Sequence, residues 1–257
     1  TTGVLGISGC TVGVQPTSEP GRPGRYYQPS GRIQVDISFF YDQLAPYGDW
    51  FELRGYGWVW TPYDVPDGWR PYTHGRWAYT DYGWTWISDW EWGWAPFHYG
   101  RWLFDPYRGW VWVPGRDWAP AWVAWHHGNG WIGWAPLPPV IDWRTAGDIE
   151  AHVRPQWWCF VEERFLFELN LRSNIVLPAR NITYLNLTRN VTNYTMIQNR
   201  VVNRSLSVEQ IERTVQRPVP RYRIMDRDTP PAVRDRVRGN DIYMFRRQFA
   251  EGTPSRT

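Results

Sequence analysis

The chain has 257 residues, 42% hydrophobic and 21% charged, with a formal net charge of +3. That length suits one or two domains with a sizeable core, and no apolar run reaches the roughly 18 residues a membrane-spanning helix needs. Only two Cys occur, which excludes a disulfide-stapled scaffold and a multi-Cys zinc site, whereas Trp reaches 21.

The net charge conceals an asymmetry. Residues 1–150 carry 10 Arg against 15 acidic residues, a balance of −5, while residues 151–257 carry 18 Arg against 10, a balance of +8. Every basic residue is Arg. A basic half of this size suits an anionic partner, although wholesale replacement of Lys by Arg is the plainer account. Arg also stacks on aromatic faces better than Lys does, so some guanidinium groups are expected against indoles.

Residues 1–35 form the first segment. Pro16 to Arg32 is rich in Pro, Gly and Ser without apolar periodicity and is expected to be an extended linker. Ahead of it, Ile7-Ser8-Gly9-Cys10 has the form of a bacterial lipobox. Cys10 is therefore the candidate lipid anchor, with an ordinary tail thiol as the alternative.

Residues 36–150 form the second segment. Residues 36–48 read as a short helix or strand ending in a Pro-Tyr-Gly turn. Between Trp50 and Trp143 lie 19 of the 21 Trp, and the sequence repeats. Gly68-Trp69-Arg70-Pro71-Tyr72-Thr73-His74-Gly75-Arg76-Trp77 recurs 25 residues later as Gly93-Trp94-Ala95-Pro96-Phe97-His98-Tyr99-Gly100-Arg101-Trp102. Gly57-Trp58-Val59-Trp60 recurs as Gly83-Trp84-Thr85-Trp86 and Gly109-Trp110-Val111-Trp112, each 26 residues on. A fixed period marks a repeat architecture.

Trp-x-Trp sets both indoles on one face of a strand, since side chains alternate with period two. Residues 79–83 and 105–109 carry the Asp, Pro and Gly chemistry of hairpin turns. Each unit of about 25 residues thus predicts a pair of antiparallel strands bearing Trp ladders. Trp58, Trp60, Trp69, Trp77, Trp84, Trp86, Trp94, Trp102, Trp110 and Trp112, with Arg76 and Arg101, are the expected packing or interaction residues.

Residues 151–225 predict a smaller β-rich domain with one short helix. Trp157-Trp158-Cys159-Phe160-Val161 reads as a buried strand. The Asn- and Thr-rich run 181–195, followed by Val201-Val202-Asn203, alternates as half-buried strands do. Its five Asn-x-Thr/Ser sequons, from Asn181 to Asn203, are too dense for a glycan on each, so a strand face is the preferred account. Ser207-Val208-Glu209-Gln210 has a capping-box pattern that predicts a helix, and residues 218–224 return to extended chain. The Arg- and Pro-rich tail 226–257 is expected to be irregular.

No catalytic constellation emerges. None of the five His has metal-binding spacing, no phosphate loop or nucleophile elbow occurs, and adjacent Glu162 and Glu163 would point to opposite faces of a strand. No catalytic residue, metal or cofactor is therefore assigned, and a non-enzymatic role is expected.

The run Phe40-Tyr41-Asp42-Gln43-Leu44-Ala45-Pro46-Tyr47-Gly48-Asp49-Trp50 resembles the start of a Trp-rich domain of unknown function from exported bacterial proteins. The Gly-Trp repeats quoted above are similar to its core motifs, and Cys159-Phe160-Val161 with the Asn/Thr segment resembles its C-terminal part. The resemblance covers about residues 38–225. It implies export and names no catalytic residue.

Together these features predict a mainly β protein, periplasmic and membrane-associated through Cys10 or a partner. The expected role is a structural or interaction subunit of a respiratory, photosynthetic or secretory complex, binding other protein subunits rather than nucleic acid. The alternative is a glycan- or peptidoglycan-binding module that stacks sugars on exposed Trp, Trp84 and Trp110 among them.

Overall fold

The computed structural model describes residues 37–144, 149–231, 236–247 and 249. Cys10 and the whole 1–35 segment lie outside these residues.

The protein is mainly β. Helix α1 (Ser38–Leu44) leads through a tight turn over Ala45–Tyr47 into four consecutive hairpins. These pair β1 (Gly48–Leu53) with β2 (Gly57–Pro62), β3 (Gly75–Thr80) with β4 (Gly83–Ser88), β5 (Arg101–Asp105) with β6 (Gly109–Val113), and β7 (Val123–Gly128) with β8 (Trp131–Pro136). Each hairpin sets a Trp opposite a Trp at the same place: Trp50 with Trp60, Trp77 with Trp86, Trp102 with Trp112, and Trp125 with Trp134. Directly opposed side chains in an antiparallel pair lie close, so this register stacks large apolar surfaces against one another. The sequence period is a hairpin period.

Gly-x-Trp at the start of the first three hairpins has a steric cause. A Cβ on Gly48 would lie 2.6 Å from the Trp60 ring, on Gly75 2.7 Å from the Trp86 ring, and on Gly100 2.8 Å from the Trp112 ring nitrogen. The indole of the second strand lies across the glycine of the first, and only hydrogen fits beneath it. The fourth hairpin instead turns through Asn129 and Gly130, both at positive φ (49° and 79°), the geometry an Asn-Gly turn of this kind requires.

The rest of the chain extends these sheets. It supplies α2 (Ile149–His152), β9 (Cys159–Glu162), α3 (Asn181–Leu187), β10 (Arg189–Asn190), β11 (Tyr194–Ile197), β12 (Arg200–Asn203), α4 (Val208–Val215), β13 (Arg221–Arg227), β14 (Arg236–Arg238) and β15 (Asp241–Phe245). One sheet runs β1-β2-β6-β5, a second β10-β7-β8-β9, and a third β11-β12-β4-β3-β13-β15-β14. Strands from beyond residue 150 therefore flank hairpins β3–β4 and β7–β8 in continuous sheets.

Two local expectations are corrected. Residues 181–187 are helical rather than a half-buried strand. Pro178 opens a helical turn over Pro178–Arg180, and the fully buried Asn181 donates to the carbonyls of Pro155 (2.9 Å) and Trp158 (2.6 Å). Tyr184 then packs on Trp131 with ring centroids 4.1 Å apart. Tertiary contacts override the β-like alternation here. Secondly, the tail is not irregular throughout: β15 runs parallel to β13 and pairs with β14, burying Ile242, Met244 and Phe245. Helix α4 forms as the capping pattern requires, with the Ser207 hydroxyl accepting from the Gln210 backbone N–H.

Candidate functional site

Of the residues singled out by the repeats, Trp60, Trp69, Trp77, Trp84, Trp86, Trp94, Trp102, Trp110 and Trp112 are buried, while Trp58 and Arg76 are half-buried. Trp84 and Trp110, on which a sugar would stack, are 0% and 6% exposed. Several indoles are fixed by hydrogen bonds as well as packing: Trp60 donates to Leu44 O (3.2 Å), Trp102 to Pro96 O (2.9 Å), Trp112 to Tyr99 O (2.6 Å) and Trp134 to Tyr72 O (2.9 Å). Arg101 places its guanidinium 3.5 Å over the Trp122 ring, the expected stacking of Arg on an indole. The repeat builds a rigid frame.

Two His–Glu pairs lie at that frame, one with both side chains largely buried and one reaching out to the exposed Glu150. His127 Nε2 lies 2.7 Å from Glu163 Oε1, and His126 Nε2 lies 3.3 Å from Glu150 Oε1. Burial would raise the Glu163 pKa, but the hydrogen bond and charge of His127 outweigh it and hold the carboxyl below its ordinary range. His98 is buried against Trp118, ring planes 11° apart, and donates from Nδ1 to Ala119 O at 2.9 Å. Burial lowers its pKa to about 4, so the ring is neutral. Among the described residues no three His, Cys, Asp or Glu side chains gather as a metal site, and no helix is long and apolar enough to cross a membrane.

A cleft that opens to solvent lies elsewhere. A cavity of about 590 Å³ is walled by the segment after β6 (Arg116, Asp117, Trp118), by the β11–β12 hairpin (Met196, Asn199, Arg200, Val201), by Asp226 of β13, and by Arg246, Arg247 and Phe249 beyond β15. Its floor is aromatic and cationic in alternation. The Arg246 guanidinium lies 4.5 Å from the Tyr82 ring centroid and 5.1 Å from that of Trp118, and pairs with Asp226. Arg200 donates to the Tyr82 hydroxyl and stands 5.7 Å from the same ring. Arg247 sits 5.7 Å from the Phe39 ring and 5.8 Å from that of Phe249.

None of these cleft residues was among the candidate interaction residues named from the repeats, and most of them come from the chain beyond the repeats. The signal available in the sequence was the +8 balance of residues 151–257, which supply three of the four arginines.

The resemblance of the Trp-rich segment to a domain of unknown function holds. Residues 41–141 match the model described as a family of unknown function (DUF6600), which spans all four hairpins. No curated protein and no solved structure matches the chain. The matched segment contributes Arg116, Asp117 and Trp118 to the cleft; its other walls come from the chain beyond.

Proposed function

We propose that the protein is a non-enzymatic structural or interaction subunit of a larger, envelope- or membrane-associated bacterial complex, periplasmic and anchored through Cys10 or through its partner. The observation that carries this reading is the Arg-lined, Trp-floored cleft on a frame whose indoles are consumed by its own core. Arg, Trp and Tyr are enriched at the centres of protein–protein interfaces, because they bring large contact area and directed hydrogen-bonding charge. Apolar side chains left in solvent add contact surface, with Leu169 81%, Leu177 71% and Ile182 62% exposed.

The test is chemical cross-linking in native membranes followed by purification of the full chain and of an Arg200→Glu/Arg247→Glu variant. The expected result is stoichiometric partner subunits with the natural chain and their loss with the variant. Recovery of the protein alone, with saturable binding to purified cell-wall glycan, would replace this reading by the glycan-binding one. Intact-mass measurement of the membrane-derived protein separately reports whether Cys10 carries lipid.

A further inference from the structure

We propose that the cleft binds an acidic peptide segment, one whose carboxylates are spaced along an extended chain. The inference rests on the subunit reading above and names the chemistry of the partner. Four arginines and two aspartates face the cavity, leaving an excess of positive charge. Its volume of about 590 Å³ falls within the roughly 300–1,000 Å³ typical of ligand sites.

The arginines are not equivalent. Arg246, whose side chain is 8% exposed, is committed to Asp226, and Arg116 lies 3.7 Å from Asp117. Among the described residues, neither Arg200 nor Arg247 has a carboxylate partner: Arg200 donates to the Tyr82 hydroxyl, and Arg247 lies 5.7 Å from the Phe39 ring and 5.8 Å from that of Phe249. A guanidinium already held by a neighbouring group has lost part of its rotamer freedom, so less entropy is lost when an anion docks. Each offers a planar fork that matches a carboxylate in bidentate geometry.

Arg200, held at the Tyr82 hydroxyl, and Arg247, beside Phe39 and Phe249, present two guanidinium groups to the cavity from different segments of the chain. Met196, 46% exposed, and the Trp118 ring supply apolar contact along the same cavity, as an alternating acidic and apolar peptide would need. Complementary charge would also steer the encounter and make it salt-dependent.

The experiment is fluorescence anisotropy of the full chain with a short labelled peptide alternating Glu and Leu. Saturable binding is expected, weakened about tenfold or more in an Arg200→Ala/Arg247→Ala variant and by added salt, and absent for the same peptide with Gln in place of Glu. Both substituted residues are exposed, and circular dichroism confirms that the variant stays folded. Absence of binding, equal binding of the Gln peptide, equal binding by the variant, displacement by equimolar inorganic phosphate, or preference for single-stranded DNA would each overturn the proposal. If the peptide fails while cross-linked partners still co-purify with the double variant, the cleft assignment falls and the subunit reading stands. If the peptide binds and no partner co-purifies, the subunit reading falls instead.

Discussion

Trp77 and Trp86 face each other across β3 and β4, ring centroids 5.0 Å apart and planes inclined at 69°. Edge-to-face geometry places the positive rim of one indole on the negative face of the other, which adds to the area both remove from water. Trp77 also meets Tyr72, Trp125 and Trp134, so one ring ties hairpin β3–β4 to hairpin β7–β8. The Trp array therefore joins hairpins to each other as well as closing each one.

The indole nitrogens separate two kinds of Trp. The buried Trp77 N–H has no acceptor among the described residues, whereas the Trp112 N–H donates to Tyr99 O at 2.6 Å. Trp→Phe removes a similar ring volume at either site, but only at Trp112 does it remove a hydrogen bond and leave a buried carbonyl short of a donor. Trp112→Phe is expected to be more destabilising than Trp77→Phe by about 1 kcal/mol. Urea denaturation of the two variants checks it, and an equal or reversed order would contradict the assignment.

Glycines of the repeat differ in the same discriminating way. A Cβ on Gly75 would lie 2.3 Å from Ile87 O and 2.7 Å from the Trp86 ring, while Gly57 has nothing within 4 Å. Gly57→Ala meets only its positive φ of 76°, at a cost of about 1–2 kcal/mol. Gly75→Ala adds displacement of a packed indole and is expected to cost about 1–3 kcal/mol more. Thermal melts of the two single variants give the comparison directly.

Much of the fold was legible because the hairpins are written locally. Trp-x-Trp fixes the face, the glycines fix the turns and the close approach, and the period fixes the register. What was not legible depends on distant partners. Residues 181–187 alternate like a strand, yet Asn181 finds the carbonyls of Pro155 and Trp158, which no local pattern encodes. Strand β15 is recruited by β13 from an Arg-rich stretch that looks like a tail. The cleft is harder still: Arg116, Arg200 and Arg246 are far apart in sequence, and only the third sheet and the loop beside it bring them together. Composition indicated that such a basic surface should exist, without its location.

Arg101 offers a test of stacking against charge. Its guanidinium covers Trp122 at 3.5 Å and donates to Gly100 O at 2.8 Å, and burial lowers its pKa to about 10. Lys keeps the charge but brings a compact, strongly hydrated ammonium that cannot lie flat on the ring. Met keeps an apolar stem on the indole and removes the cost of holding a desolvated cation. Arg101→Lys is therefore expected to lose about 1–2 kcal/mol, and Arg101→Met less. Equilibrium denaturation followed by Trp fluorescence ranks them, and a greater loss with Met would show that the charge, not the stacked face, stabilises this position.

The buried histidines set the pH response. His98 is neutral in the fold because burial, reinforced by the Arg246 charge and opposed by its bond to Ala119 O, lowers its pKa to about 4, against about 6.5 in the unfolded chain. Between those values the unfolded chain binds the extra proton, so stability rises with pH there and is lost as pH falls from about 6.5 towards 4. A shift of that size corresponds to at most about 3 kcal/mol for this fully buried ring. His126, whose pKa burial also lowers against the pull of Glu150, acts in the same direction. Glu163, held below the ordinary carboxylate range, adds its loss only in more acidic solution. Denaturation free energies measured from pH 7 to pH 4 should therefore fall steadily, and a His98→Gln variant should show a shallower slope whatever its absolute stability. An unchanged slope would mean that His98 takes up its proton inside the folded core.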